Sequence, residues 1–229
     1  MTRYFFLHLH KTAGTALWRR LQRQFEPAAL YPGPQDDTAP DRTLVPEYLI
    51  ERYRARRDEI QVVTGHFPLC TTEVLGDTFS TFTVLRHPVD RTISVLQHHR
   101  DLTPGAHEQS LEEIYDDPIR QLLIRNHMIK MVALRRDEMT DGALTDITFD
   151  RARLDLAKER LASIDVVGVQ PRFEEFCTAL AARFGWNLGG PVEANKSTPV
   201  PVSEALRERI AHDNALDIEF YDHATTIAI

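Results

Sequence analysis

The sequence has few cysteines and no long apolar run, and each absence excludes a class of protein. Among 229 residues there are two cysteines, Cys70 and Cys177, which is too few for a disulfide framework or a cysteine metal cluster. We expect both to be reduced, buried thiols of a cytoplasmic protein. No apolar run exceeds a few residues, whereas a bilayer-spanning helix needs about 20. The amino terminus also lacks the apolar core of a secretory signal. We therefore expect a protein that does not span a membrane.

An excess of basic residues is also missing. The chain has 27 Lys and Arg against 34 Asp and Glu, a formal net charge of −7, and proteins that coat nucleic acid usually carry a basic excess. We therefore expect no nucleic-acid partner. A small anionic ligand is compatible with this charge, because it responds to a local group of cations and not to the total.

What the sequence does contain is an alternation of strand-like and helix-like segments. Apolar segments typical of buried strands occupy residues 4–10, 60–65, 79–86 and 165–169. Apolar residues at helical spacing lie between and after them, and no repeat or linker divides the chain, so we expect one domain over residues 1–229. This pattern predicts an α/β fold, a single domain with a mostly parallel central sheet flanked by helices.

Three helical segments and one irregular segment are also predicted. Residues 107–116 and 118–134 have helical patterns, and a last helix is expected from near Ser203 to about Tyr221. Residues 27–46 contain five prolines and are too long for a simple connection. We interpret them as an irregular excursion that serves as a substrate loop or lid.

A short loop rich in small residues follows the first strand. Ligands of parallel sheets bind beyond the carboxyl ends of the strands. Small residues let backbone N–H groups approach an anion at the start of the next helix. The loop therefore predicts an anion site, with a plain strand-to-helix turn as the alternative. Its predicted binding residues are Lys11, Thr12, Ala13, Gly14, Thr15 and Ala16.

The order of residues in this loop differs from that of the nucleoside triphosphatase P-loop. That motif places its lysine after the second glycine and directly before a Ser or Thr that holds magnesium. Here Lys11 precedes Gly14, the one glycine of the loop. The loop can therefore bind phosphate in the way a P-loop does, but the order of its residues is different.

A second phosphate-binding segment follows the strand predicted at residues 79–86. Arg86 leaves the end of this strand and can form a bidentate bridge to a phosphate. Pro88 is suited to a first helical turn, and Ser94 follows about two turns along the helix. Arg91 adds charge nearby or pairs with a carboxylate. Two segments, each after a strand, thus predict one anionic ligand.

The two segments together resemble the nucleotide site of sulfotransferases. Residues 8–16 are similar to the 5′-phosphosulfate loop, written H-x-P-K-T-(A/G)-G-(S/T), and residues 85–94 to the 3′-phosphate segment, written L-R-D-P-x-x-R-x-x-S. His87 replaces the usual Asp. Segments at residues 65–67, 165–175 and 213–221 extend the resemblance over most of the chain. The best match is the family-2 type, which includes the glycosaminoglycan uronosyl 2-O-sulfotransferases.

This resemblance implies a P-loop-like sulfotransferase fold and a specific reaction, sulfuryl transfer. Such an enzyme moves a sulfuryl group from 3′-phosphoadenosine 5′-phosphosulfate (PAPS) to a hydroxyl by in-line displacement, without a metal, and a carbohydrate is the favoured acceptor. By resemblance Lys11 stabilises the charge that develops on the leaving oxygen, while Arg86 and Ser94 bind the 3′-phosphate. Members of the family have a polar residue in the helix where this chain has Asn126. We expect Asn126 either to tie this helix to a loop or to line the site.

A general base is needed on the acceptor side. His66 follows a strand directly after Gly65, and an unperturbed imidazole suits this role. The 2-O-sulfotransferases carry a second histidine two residues later, where this chain has Pro68. His98 and His99 are the next candidates for contact with the acceptor.

Two other functions compete with sulfuryl transfer. A small-molecule kinase would need magnesium and a triphosphate, and the missing Gly-Lys-Ser/Thr order counts against it. A non-catalytic nucleotide-binding protein would keep the fold without the reaction, and the presence of Lys11, Arg86 and Ser94 counts against that.

Overall fold

Five parallel strands form the centre of the computed structural model, which describes residues 2–192 and 201–229. The spatial order of the strands is β2-β3-β1-β4-β5. Residues on both faces of the sheet are buried, as parallel strands covered by helices require. The predicted fold class, an α/β domain with a parallel central sheet, is confirmed. The strands are β1 (Arg3–Leu7), β2 (Leu30–Tyr31), β3 (Val62–Gly65), β4 (Phe79–Leu85) and β5 (Val166–Val169).

Helices connect the strands and cover the sheet. They are α1 (Gly14–Gln24), α2 (Pro40–Leu44), α3 (Pro46–Ala55), α4 (Thr71–Leu75), α5 (Pro88–Leu102), α6 (Leu111–Tyr115), α7 (Pro118–Ile124), α8 (His127–Ala133), α9 (Arg151–Leu161), α10 (Phe173–Phe184), α11 (Glu204–Asp213) and α12 (Ala215–Ile227). None of these described helices is both long and apolar enough to cross a membrane.

The order of the strands determines where a ligand can bind. Strand β1 pairs with β3 on one side and with β4 on the other, and all three run in parallel. The loops that follow β3, β1 and β4 therefore lie next to one another at one edge of the sheet. The chain crosses to opposite sides of β1 to form these pairs, and such a switch point is where open α/β sheets bind ligands.

Two apolar cores, one on each face of the sheet, fix these loops. Phe5 and Leu7 of β1 pack into the core formed with α8, α9 and α12, whereas Tyr4 and Phe6 pack into the core formed with α1 and α10. This alternation follows from the period of two along a strand. Burial on both faces holds the end of β1, and with it the following loop, against the sheet.

Five details of the predicted secondary structure are wrong. Of the helix predicted at 107–116, the α-helix α6 covers only Leu111–Tyr115. The first strand ends at Leu7 and not at residue 10, and the excursion at 27–46 contains the short strand β2. The helix predicted at 118–134 is two helices, because Asn126 adopts a left-handed conformation with φ 41° between α7 and α8. The last predicted helix is also two, α11 and α12.

The excursion at residues 27–46 is anchored by a buried carboxylate. The Asp36 side chain accepts hydrogen bonds from the backbone of Gly33, from Arg52 Nε at 2.8 Å and from Arg56 Nη1 at 2.8 Å. At its other end, the main-chain oxygen of Thr43 accepts a hydrogen bond from the backbone N–H of His66 at 2.9 Å. The excursion is therefore tied both to α3 and to the loop after β3.

Candidate active site

A cavity of about 970 Å³ opens at the carboxyl ends of β1, β3 and β4. Its walls come from the loops after these strands, from α5 and from the start of α11. Eight of the nine predicted site residues line it; Thr12 does not. The predicted residues that line it are Lys11, Ala13, Gly14, Thr15, Ala16, His66, Arg86 and Ser94.

The loop after β1 has the backbone of an anion-binding turn. Lys11 and Ala13 have positive φ angles of 63° and 72°, so left-handed residues alternate with others along the loop. Such alternation directs successive N–H groups to one side. Helix α1 starts at Gly14 with no side-chain cap and no acidic residue in its first turn. Its first N–H groups are therefore available to a ligand.

Gly14 is required by a neighbouring ring. A Cβ atom at this position would lie 1.7 Å from Nε2 of His8, far inside van der Waals contact. His8 in turn stacks on Phe6, with ring centroids 4.9 Å apart and an angle of 10° between the planes. The stacked rings of Phe6 and His8 therefore lie directly against the loop. Only a glycine fits at the position where the loop contacts His8.

Thr12 supports the loop and does not border the cavity. Its side chain is fully buried, and its hydroxyl donates a hydrogen bond to the main-chain oxygen of Leu9 at 3.0 Å. Thr15 is exposed and lines the cavity. Of the two threonines predicted as binding residues, the structure thus presents Thr15 to the cavity.

The two predicted phosphate segments are in direct contact. Arg86 Nη1 donates a hydrogen bond to the main-chain oxygen of Lys11 at 3.2 Å. Burial and the neighbouring Arg86 lower the pKa of Lys11, and burial lowers that of Arg86. Two cations held close together and partly out of water favour an anion between or beside them.

Helix α5 contributes a hydroxyl and a carboxylate to the same part of the cavity. Asp90 and Ser94 are one turn apart and both line the cavity. Asp90 acts electrostatically on Arg86, raising its pKa against the effect of burial. Arg91, predicted as extra charge, instead points into the protein interior, where it is fully buried and donates to the main-chain oxygen of Ile124.

His66 is held in one orientation by its neighbours. Its Nδ1 lies 2.8 Å from the main-chain oxygen of His8. Because a carbonyl can only accept, Nδ1 carries the proton and Nε2 is the acceptor of the ring. Gly65 has a φ of 146°, and a Cβ there would lie 2.2 Å from the Phe67 ring. Burial lowers the pKa of His66 to about 4, against a raising effect of the hydrogen bond to His8.

His66 belongs to a cluster of four histidines, which we call the histidine cluster. Its ring centroid lies 4.4 Å from that of His8 and 3.6 Å from that of His10, which is itself 5.3 Å from His127. Burial lowers the pKa of each of the other three rings well below the usual value. The rings are tilted against one another by 33–43°, and within the described ranges no three His, Cys, Asp or Glu side chains form a group that could hold a metal.

Asn126 ties two helices together and does not line the cavity. Its backbone N–H donates to Asn214 Oδ1 at 2.8 Å, and its side-chain oxygen accepts from the N–H of Asp217 at 3.1 Å. Asp217 in turn accepts from the N–H groups of Met128 and Ile129 at the start of α8. Of the two predicted roles for Asn126, the structural one is observed.

Six charged or polar side chains of the cavity were not predicted as site residues. His8 and His10 lie against His66, Asp90 and Gln97 extend from α5, and Gln170 follows β5. Arg207 of α11 reaches the cavity from a distant part of the sequence. His98 also lines the cavity, as the sequence suggested, whereas His99 contacts Thr103 and Arg120.

The fold is similar to that of a known enzyme. Superposition on the crystal structure of a sulfotransferase from Alicyclobacillus acidocaldarius gives a TM-score of 0.51 and covers 97% of this chain and 95% of that one. The chain has a sulfotransferase fold. The sequence identity is 17%, so the likeness establishes the fold alone. No family model and no curated protein matches the sequence.

Proposed function

We propose that this protein is a PAPS-dependent sulfotransferase that transfers a sulfuryl group to an acceptor hydroxyl by in-line displacement. One observation carries the proposal. The loops after β3, β1 and β4 bring His66, Lys11 and Arg86 to one cavity, and β1 lies between the other two strands. A base, a cation for the leaving group and a phosphate ligand thus follow one another along the edge of the sheet.

The donor end of the reaction is assigned to the β1 and β4 loops. Arg86 and Ser94 bind the 3′-phosphate of the nucleotide, and the backbone N–H groups around Ala13 and Gly14 bind the 5′-phosphosulfate. The contact between Arg86 and the main-chain oxygen of Lys11 supports this assignment, because it fixes the distance between the two phosphate subsites. Charged hydrogen bonds of this kind contribute roughly 1.5–3 kcal/mol each.

Lys11 is assigned to the leaving group. When the S–O bond to the phosphate breaks, its electron pair stays on the bridging oxygen, and 3′-phosphoadenosine 5′-phosphate leaves. A cation held beside that oxygen stabilises the transition state more than the ground state. Lys11 is a left-handed residue in the middle of the loop and lines the cavity together with Ala13 and Gly14, whose N–H groups we assign to the same phosphate.

His66 is assigned to the acceptor. The acceptor oxygen bonds to sulfur as its proton passes to Nε2, the nitrogen that the hydrogen bond from Nδ1 to His8 leaves as acceptor. Burial keeps the ring neutral at physiological pH, which a base requires. The excursion at residues 27–46 is bonded to the backbone of His66 through Thr43. The described residues of the excursion do not line the cavity itself, but this bond holds the excursion next to His66, and we therefore propose it as the acceptor loop, anchored at Asp36.

The acceptor that we propose is a hydroxyl of a saccharide. This choice rests on the resemblance to family-2 sulfotransferases and on the hydrogen-bonding side chains of the cavity. His10, Gln97 and His98 line the cavity and can donate or accept hydrogen bonds to sugar hydroxyls.

A mass-spectrometric screen tests the proposal. The protein is incubated with PAPS and a panel of saccharide, phenolic and lipid alcohols, with and without EDTA, and Lys11→Ala serves as the control. The proposal expects one sulfated product, formed equally with EDTA and lost with Lys11→Ala. Phosphoryl transfer from ATP that requires magnesium would instead identify a kinase.

A further inference from the structure

Arg207 is a cavity residue with no role in the proposed mechanism. It lies in the first half of α11, a helix that packs against α5. Its Nη1 is 3.7 Å from Oδ1 of Asp90 on α5. Asp90 is one turn before Ser94 and also acts on Arg86. Arg207 therefore approaches the part of the cavity where Arg86 and Ser94 face the ligand.

The ion pair with Asp90 does not account for the position of Arg207. The two side chains are 42% and 54% exposed, and the atoms are 3.7 Å apart. Exposed pairs of this kind contribute little to stability. By comparison Arg209, two residues later on α11, lies 2.5 Å from Asp116 and packs over the Tyr115 ring. Arg209 is held by the protein surface, and Arg207 is held only loosely.

The charge of the cavity shows what Arg207 can do. Among the described lining residues the permanent cations are Lys11, Arg86 and Arg207, and the carboxylate is Asp90. A phosphate monoester carries a charge of about −1.5 to −2 at neutral pH. Arg86 already donates one N–H to Lys11, so it meets a dianion with part of its hydrogen-bonding capacity. A second guanidinium would neutralise the phosphate more fully, and Arg207 lines the same cavity next to Asp90.

We infer that Arg207 is a second ligand of the 3′-phosphate and that it exchanges the Asp90 carboxylate for the phosphate when the nucleotide binds. This inference rests on the proposed function, since it takes the ligand to be a 3′-phosphorylated nucleotide. Asp90 acts on both guanidinium groups and offers them one negative charge. The phosphate offers two charges and three oxygens, so it is the stronger partner.

Calorimetric titration with 3′-phosphoadenosine 5′-phosphate and with adenosine 5′-phosphate tests the inference. Arg207→Ala should weaken binding of the first nucleotide about tenfold or more and leave binding of the second nearly unchanged. Arg209→Ala is the matched control and should change neither. Asp90→Asn should tighten binding of the 3′-phosphorylated nucleotide, because it removes the competing carboxylate.

The outcomes separate this inference from the proposed function. If the unmutated protein prefers the 3′-phosphorylated nucleotide but Arg207→Ala keeps that preference, the inference is overturned and the proposed function stands. An equal loss for both nucleotides also overturns it, because the contact would then lie elsewhere. If the unmutated protein shows no preference, the proposed function fails, and the inference fails with it.

Discussion

Arg86 Nη1 donates a hydrogen bond to the main-chain oxygen of Lys11 at 3.2 Å. This contact joins the loop after β1 to the loop after β4 and brings two segments that are distant in sequence to one cavity. It also holds a guanidinium beside an ammonium in a partly buried site, where mutual repulsion and loss of hydration favour a bound anion.

Gly14→Ala should weaken nucleotide binding by about tenfold or more. The new Cβ would lie 1.7 Å from the His8 ring, so either the ring or the loop must move, and overpacking of this kind costs about 1–3 kcal/mol. Gly190→Ala is the control, because nothing lies within 4 Å of a Cβ there. Calorimetry with 3′-phosphoadenosine 5′-phosphate measures the effect, and normal binding by Gly14→Ala would refute the assignment of the loop.

Lys11→Ala should lower turnover more than donor affinity. Turnover should fall by roughly two to three orders of magnitude, since the charge on the leaving oxygen develops only in the transition state. The 3′-phosphate contacts and loop N–H groups remain, so the dissociation constant for the nucleotide should change less. Steady-state kinetics and calorimetry on the same preparation give both quantities. An equal loss in both would mean that Lys11 acts in binding alone.

His66 should determine the acidic limb of the pH profile. Its pKa is lowered to about 4, so the ring stays neutral as the pH falls from 7 to 5 and is protonated only near pH 4. The value of kcat/KM should therefore be nearly constant between pH 5 and 7 and fall below that range. His66→Ala should cost roughly a hundredfold in kcat and remove this limb. An unchanged limb in His66→Ala would assign the base to another group, with His98 next in line.

Much of this site follows from the sequence because its signals are local. Small residues around a lysine after an apolar strand predict a phosphate loop, and an Arg-x-Pro at the end of a strand predicts a second phosphate ligand. Parallel strands then bring both to the same edge. The strand order adds what no local pattern contains, namely that β1 lies between β3 and β4.

The features that the sequence did not predict depend on tertiary contacts. The apolar stripe continues through residues 118–134, but Asn126 is drawn into a left-handed conformation by hydrogen bonds to Asn214 and Asp217. Strand β2 has two residues, too few for a periodic signal. Arg207 has the pattern of a charged helix surface, and only the packing of α11 on α5 brings it to the cavity.

Asp36→Asn should impair use of the acceptor without affecting the donor. The carboxylate is buried between Arg52 and Arg56. Removing one charge of a buried ion pair lowers the free energy of unfolding by on the order of 3 kcal/mol. Loosening of the excursion should raise KM for the acceptor, while affinity for the nucleotide stays the same. Asp37→Asn is the control, because its carboxylate is 56% exposed. If both variants leave KM for the acceptor unchanged, the excursion is not the acceptor loop.

The relative affinity for two nucleotides tests the central claim most directly. Because Arg86 and Ser94 are assigned to a 3′-phosphate, the protein should bind 3′-phosphoadenosine 5′-phosphate at least tenfold more tightly than adenosine 5′-phosphate, with or without EDTA. Arg86→Ala should remove most of that difference. Equal affinity for the two nucleotides, measured by calorimetry on the unmutated protein, would contradict the account.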